Sequence, residues 1–179
     1  EKLSLNNEVT VTYKAGDQPN NALSLNVLQP GEVAATAGTS GVVYGVTDQV
    51  NYDPLSRVNS FAHVNYSSQS KRIGVLLCIN GTGILNSWLR KNVFNGLSYE
   101  QMNEEAAKVE IGSDGLLFYP FGNGAERVLE NKDLGAAMKG LHFNRHHRGH
   151  MARAAQEGIV FALNYGMDIM KQMGMKLIT

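Results

Sequence analysis

Three short stretches hold residue types that could do chemistry together: Asp17 within Ala15-Gly16-Asp17-Gln18-Pro19, the bend Gly38-Thr39-Ser40-Gly41, and Gly81-Thr82-Gly83. Asp17 follows the β-branched run Val9-Thr10-Val11-Thr12, which reads as a strand. A carboxylate at the carboxyl end of a strand in an open α/β sheet is a candidate general base. Gly-Asp-x-Pro is equally ordinary turn chemistry. The glycines of the bend let backbone N–H groups approach an anion closely, and Thr39 and Ser40 add hydroxyl donors. Gly81-Thr82-Gly83 opens a helix whose N-terminus can hold a second phosphate. Taken singly, each has a plain structural reading, because a tight hairpin needs glycines with no ligand at all.

The elements that would position these residues follow from periodicity and punctuation. A strand over residues 9–14 precedes a short helix over 20–28, with Pro19 tolerated in its first turn and Pro30-Gly31 ending it. Residues 32–46 place two small or β-branched runs around Gly-Thr-Ser-Gly, a hairpin pattern. A surface loop over 47–57 contains Pro54, and strands over 61–66 and 72–79 flank the polar Ser67-Ser68-Gln69-Ser70 turn. Ile84, Leu85, Trp88 and Leu89 have helical spacing. Ser98 with Gln101 three residues on has the capping-box form and starts a helix over 99–109. A short apolar strand over 116–121 leads into an irregular stretch over 122–148. Met151, Ala155, Ile159, Ala162, Tyr165, Ile169 and Met173 recur every three or four residues, marking a helix over 149–173 that stops at Gly174. A new strand begins at Lys176.

Composition bounds the function classes. Of 179 residues 43% are hydrophobic and 18% charged, which fits one globular core. Sixteen basic and sixteen acidic residues cancel, so neither nucleic acid nor an anionic membrane surface is an expected partner. No apolar run reaches the roughly 18 residues of a membrane helix. The single cysteine, Cys78, lies in the apolar run Ile73-Gly74-Val75-Leu76-Leu77-Cys78-Ile79. One thiol forms no internal disulfide, which points to a reducing, cytoplasmic setting. His142, His146, His147 and His150 cluster within nine residues, but no cysteine or nearby acid completes a zinc set, so no metal site is expected.

In this order and spacing the stretches resemble the carbohydrate kinases that include xylulokinase, glycerol kinase, gluconokinase and ribulokinase. Ala15-Gly16-Asp17-Gln18 with Asn21-Ala22 is similar to the family's Gly-Asp-Gln/Asn segment. Gly31-Glu32-Val33 and Ala37-Gly38-Thr39-Ser40-Gly41-Val42 resemble its strand-turn-strand around the nucleotide phosphates. Asn80-Gly81-Thr82-Gly83 with Trp88-Leu89 resembles its glycine–helix–tryptophan element, and Gly124-Ala125-Glu126-Arg127 its Gly-Glu-Arg loop with one residue inserted. Gly140-Leu141, then His147-Arg148-Gly149-His150-Met151-Ala152-Arg153-Ala154 and Glu157-Gly158, are similar to its Gly-Leu, His-x-Arg and Arg-Ala…Glu-Gly helix.

The resemblance implies an α/β, actin/hexokinase-like (ribonuclease H-like) ATPase domain, a mixed sheet with flanking helices, incomplete in this chain. It implies transfer of the ATP γ-phosphoryl group to a sugar hydroxyl, with Mg2+ accompanying the nucleotide and a ketose or polyol as acceptor. The Thr-Ser-Gly-Val bend and the His-x-Arg…Glu-Gly helix favour a pentulose such as D-xylulose. By resemblance Asp17 is the catalytic base and touches substrate with Gln18. Gly38, Thr39 and Gly83 meet the nucleotide, and Glu126 and Arg127 form a structural pair on their loop.

Two departures stand against the family pattern. Pro19-Asn20-Asn21 replaces a run of alanines and glycines, and neither the Asp-x-Gly-Thr phosphate loop nor a Gly-Gly-Gly segment is found. Residues 1–179 therefore read as part of a second, C-terminal domain, inactive alone. Its unfinished sheet predicts a homo-oligomer or strand exchange. The alternative is a non-catalytic, actin-like nucleotide-binding or assembly module in which Asp17 is a turn residue; a degenerate kinase-like scaffold is a third reading.

Overall fold

The computed structural model describes Thr10 and residues 14–178. Of the strand expected over 9–14, most therefore lies outside the described residues. The first helix, α1, runs Asp17–Ser24, three residues earlier than its sequence pattern suggests. Gly16 is its extended N-cap, Asp17 supplies the acidic residue of the first turn, and Pro19 sits where a missing N–H costs nothing.

Strands β1 (Val33–Ala37), β2 (Gly41–Thr47), β3 (Asn59–Ala62) and β4 (Ile73–Ile79) form one sheet in the order β1-β2-β4-β3. Every pairing in this sheet among the described residues is antiparallel. The β1–β2 hairpin pairs Ala37 with Gly41 and so leaves Gly38, Thr39 and Ser40 as its three-residue tip. Strand alternation divides the sheet between two cores. On one face Val43, Val75, Leu77 and Ile79 meet Ile169 and Met170 of the long helix α4 (Arg148–Gln172) and its C-cap Met173. On the other, Tyr44 and Val46 meet Ala22 of α1, Val27 and Ala34. There the Tyr44 hydroxyl donates to His63 Nδ1 (2.8 Å), and His63 Nε2 donates to the Val27 carbonyl (3.0 Å).

A third core joins α2 (Gly83–Asn92), α3 (Tyr99–Ala107) and the first half of α4 through Leu89, Phe94, Met102, Ala106 and Ala155. The capping box at Ser98 is present as the sequence predicts: Ser98 Oγ accepts from Gln101 N–H (3.1 Å) while Gln101 Oε1 accepts from Ser98 N–H (3.0 Å). Strand β5 (Leu117–Tyr119) pairs with β6 (Ala137–Lys139). β6 lies inside the stretch read as irregular. Its three residues are all exposed, so it carries no apolar alternation by which a sequence could betray it. Gly174 (φ +89°) follows α4 as its left-handed stop. The strand expected from Lys176 is not formed among the described residues; one bond, Ile178 N–H to the Gly31 carbonyl (2.8 Å), ties that segment down.

Candidate phosphate-binding site

The hairpin tip and the start of α2 are built as one surface. Ile84 N–H donates to the Thr39 carbonyl (3.1 Å), and Thr82 Oγ1 donates to the same oxygen (3.4 Å). A Cβ placed on Gly83 would stand 2.0 Å from the Gly38 carbonyl oxygen. Any side chain there would force the bend away from the helix, so glycine is required by backbone-to-backbone contact. Gly38, Thr39 and Gly83, with Ile84, Asn86, Ser87 and Tyr99, line an open cavity of about 470 Å³. The Arg90 guanidinium lies 4.8 Å from the Tyr99 ring centroid, placing a fixed positive charge on the ring at that rim.

Three of the five residues singled out from sequence are thus brought together: Gly38, Thr39 and Gly83. Asp17 and Gln18 stand apart from that cavity. Asp17 is the first residue of α1 and exposed, Gln18 is half-buried, and Gln18 N–H donates to Asp17 Oδ1 (2.8 Å). α1 is held by its buried Ala22 against the Tyr44 face of the sheet, while the hairpin tip is the far end of β1 and β2.

The turn between β4 and α2 is held from behind. Glu126, 0% exposed, accepts the Asn80 N–H on Oε2 (2.9 Å) and the Gly81 N–H on Oε1 (3.0 Å). Asn80 Nδ2 donates to the Ala125 carbonyl (3.0 Å), and Asn123 Nδ2 donates to the Asn80 carbonyl (3.2 Å). A Cβ on Gly81 would stand 1.5 Å from the Pro120 carbonyl oxygen. Burial pushes the Glu126 carboxyl up against the pull of its two N–H donors. The same burial, with the Glu126 charge, pushes the half-buried Cys78 thiol up, so it stays protonated.

Two sequence readings change here. Glu126 is not paired with Arg127: its carboxylate takes backbone N–H groups, while Arg127 Nη1 reaches the Ser56 carbonyl (3.4 Å). Within the Gly81-Thr82-Gly83 stretch read as opening a phosphate-holding helix start, the Gly81 N–H is likewise taken by Glu126. No local pattern announces this, because the partners are 45 and 46 residues apart. Asn86, Ser87 and Tyr99 were also missed as cavity-lining residues. A helical i, i+3, i+4 extension from Gly83 would have picked out Asn86 and Ser87.

Three of the four histidine rings have structural hydrogen-bond partners. His147 Nδ1 accepts the Gly149 N–H (3.1 Å) and caps α4; His150 Nδ1 accepts the His147 N–H (3.3 Å). His146 accepts from His142 N–H (3.0 Å) and donates to the Asp114 carbonyl (3.2 Å).

The domain is thus an antiparallel sheet with helices on both faces, and it carries a glycine bend locked onto a glycine-led helix start. Residues 33–179 match the family model of the FGGY family of carbohydrate kinases, C-terminal domain. The chain belongs to the FGGY family of carbohydrate kinases. It is 30% identical over 173 residues to a xylulose kinase of Haemophilus influenzae, covering 96% of this chain and 33% of that protein. It is 29% identical over 172 residues to a gluconokinase of Bacillus subtilis, covering 90% of this chain and 32% of that protein. It therefore spans about a third of the length of these curated relatives. Among solved structures, xylulose kinase from Bifidobacterium adolescentis superposes with a TM-score of 0.79 at 23% identity, over 91% of this chain and 30% of that one. Plasmodium falciparum glycerol kinase with ADP gives 0.79 at 25% identity, over 91% and 32%. The fold is that of the sugar kinases, the actin/hexokinase-like fold. Asp17 and Gln18 precede the residues matched by the family model.

Proposed function

We propose that the intact protein transfers the γ-phosphoryl group of ATP to a hydroxyl of a ketose or polyol, and that this chain is part of its C-terminal domain. The observation that carries the reading is the junction of the Gly38–Thr39 bend with the glycine-led start of α2, in a chain of the carbohydrate-kinase family. The glycerol kinase neighbour was solved with ADP, which supports a nucleotide as the anion at this junction. Gly38 and Thr39 meet the phosphates and Gly83 passes close to the nucleotide.

Asp17 acts as general base. Its carboxylate takes the acceptor hydroxyl's proton as that oxygen attacks the γ-phosphorus in line; the bond to the β-phosphate oxygen breaks and ADP leaves. Gln18, next to it on α1, contacts substrate hydroxyls. The relatives' names, xylulose kinase and gluconokinase, support a polyhydroxylated acceptor, and a pentulose such as D-xylulose is the specific proposal. Mg2+ enters with the nucleotide. Among the described residues no three His, Cys, Asp or Glu side chains gather to hold a metal.

Among the described residues no helix is long and apolar enough to cross a membrane. A cytoplasmic location is proposed from the single unpaired thiol. Assembly into a homo-oligomer is supported by the sheet order, in which β1 and β3 are edges.

The test is phosphoryl transfer by the intact protein from ATP to a panel of pentuloses, polyols and aldonates, for wild type and Asp17→Asn. The expected outcome is turnover on a pentulose, lost in the variant. An Asp17→Asn protein with wild-type turnover would remove the general-base assignment.

A further inference from the structure

A buried carboxylate is costly unless something requires its charge or geometry. Glu126 is wholly buried, and both of its oxygens are spent on two consecutive backbone N–H groups, those of Asn80 and Gly81. Those two residues are the last of the chain before the N-cap of α2, Thr82. Around them, Ala125 and Asn123 add two more bonds to Asn80, and Pro120 closes against Gly81 with no room for a Cβ. On the opposite side, Gly83 and Ile84 press on Gly38 and Thr39. The turn is therefore gripped between the 120–126 loop behind it and the hairpin tip in front of it. A shift of Gly81 toward the space left by Glu126 would move Gly83, and with it the close packing of Gly83 and Ile84 that orients the Gly38–Thr39 bend.

We infer that Glu126 is a positioning residue for the nucleotide: through the N–H groups of Asn80 and Gly81 it sets where Gly83 and the Gly38–Thr39 bend stand, without touching the nucleotide itself. The inference rests on the proposed kinase reading. It assigns Glu126 an action on the nucleotide and none on the sugar, because its two bonds reach the turn behind the phosphate wall and not the Asp17 end of α1. The chemistry makes glutamine a poor substitute. Its amide NH₂ would oppose a backbone N–H, donor against donor, and would keep one bond while turning the other repulsive. Aspartate retains two acceptors on a shorter stem.

The experiment measures KM for ATP, KM for the sugar and kcat in the intact protein for wild type, Glu126→Gln and Glu126→Asp. The expected result for Glu126→Gln is a rise of about tenfold in KM for ATP, with KM for the sugar within about twofold. Glu126→Asp should recover a substantial part of the loss. Equal rises in both KM values, or none in either, would overturn the role. Hydrogen exchange on wild-type protein supplies a readout independent of the variants' folding. ADP should slow exchange in residues 80–84 and 123–127 together; protection of 38–39 and 83 with no change at 123–127 would overturn the coupling. Failure of wild type to bind ADP would remove the kinase reading and this role together. Binding of ADP with an unchanged KM for ATP in Glu126→Gln would remove the role alone.

Discussion

The bend at Gly38–Thr39 and the aspartate at position 17 sit in opposite kinds of surroundings. The bend is locked: a helix N–H and a threonine hydroxyl share its carbonyl, two glycine contacts leave no slack, and a buried carboxylate holds the far side. Asp17 is exposed at the first position of an eight-residue helix, with the neighbouring Gln18 N–H as its bond. The comparison separates the demands of the two proposed tasks. A phosphate wall must be in place before its ligand, because preorganised N–H groups stabilise charge at no reorganisation cost. A base is defined by a substrate proton, and its geometry is completed when the substrate arrives.

That contrast can be broken in several ways. The largest expected effect is on Asp17: in the intact protein Asp17→Asn should lower kcat by on the order of 10²–10⁴ while costing no more stability than the roughly 0.3–1 kcal/mol of an exposed first-turn charge. A larger loss of stability in that variant would show that Asp17 is structural after all. Gly83→Ala should do the reverse. Its Cβ meets the Gly38 carbonyl at 2.0 Å, so stability should fall by about 1–3 kcal/mol and KM for ATP should rise. Unchanged chemical denaturation would mean that the bend is looser than its contacts indicate.

The Tyr44 face, which carries α1, should respond to acid. Burial, opposed by the bond to Val27, holds His63 below its usual 6.5. The unfolded chain therefore takes up a proton that the folded one refuses. Stability is whole above the unfolded value of 6.5 and declines as pH falls through it. Urea unfolding at pH of about 7.5 and about 5.5 reads the slope. His150 is shifted the same way, by burial and then by His147 and His146. The part of the slope that disappears in His63→Ala belongs to His63, and that variant should lose ~1.5 kcal/mol at neutral pH by stranding the Tyr44 hydroxyl. The smallest effect is a control. Ser98→Ala removes the cap of α3 and should cost ~1 kcal/mol, with kcat and KM for ATP unmoved.

Much of this chain was legible before folding, wherever the deciding interactions are local. The hairpin register around residues 38–40, the capping box at Ser98 and the stop of α4 at Gly174 depend on residues within a few positions of one another. α4 itself was readable because its small and apolar residues recur at the helical period over 25 residues. Local reading failed for β6, whose three exposed residues form a strand only because β5 lies opposite. It placed the start of α1 three residues late, since Gly16 and Asp17 read equally as a turn and as a helix start.

By itself the sequence determined that glycines stand at positions 38, 81 and 83, and that a helix lies close after Gly16. Tertiary structure alone decided that Gly83 bears on Gly38, that Glu126 serves the turn at Gly81 and not Arg127, and that Asp17 stands apart from the cavity. The physical reason is sequence distance. A backbone N–H pairs with whichever acceptor the packed sheet and helices bring near, and a separation of 45 positions leaves that acceptor's identity to the fold.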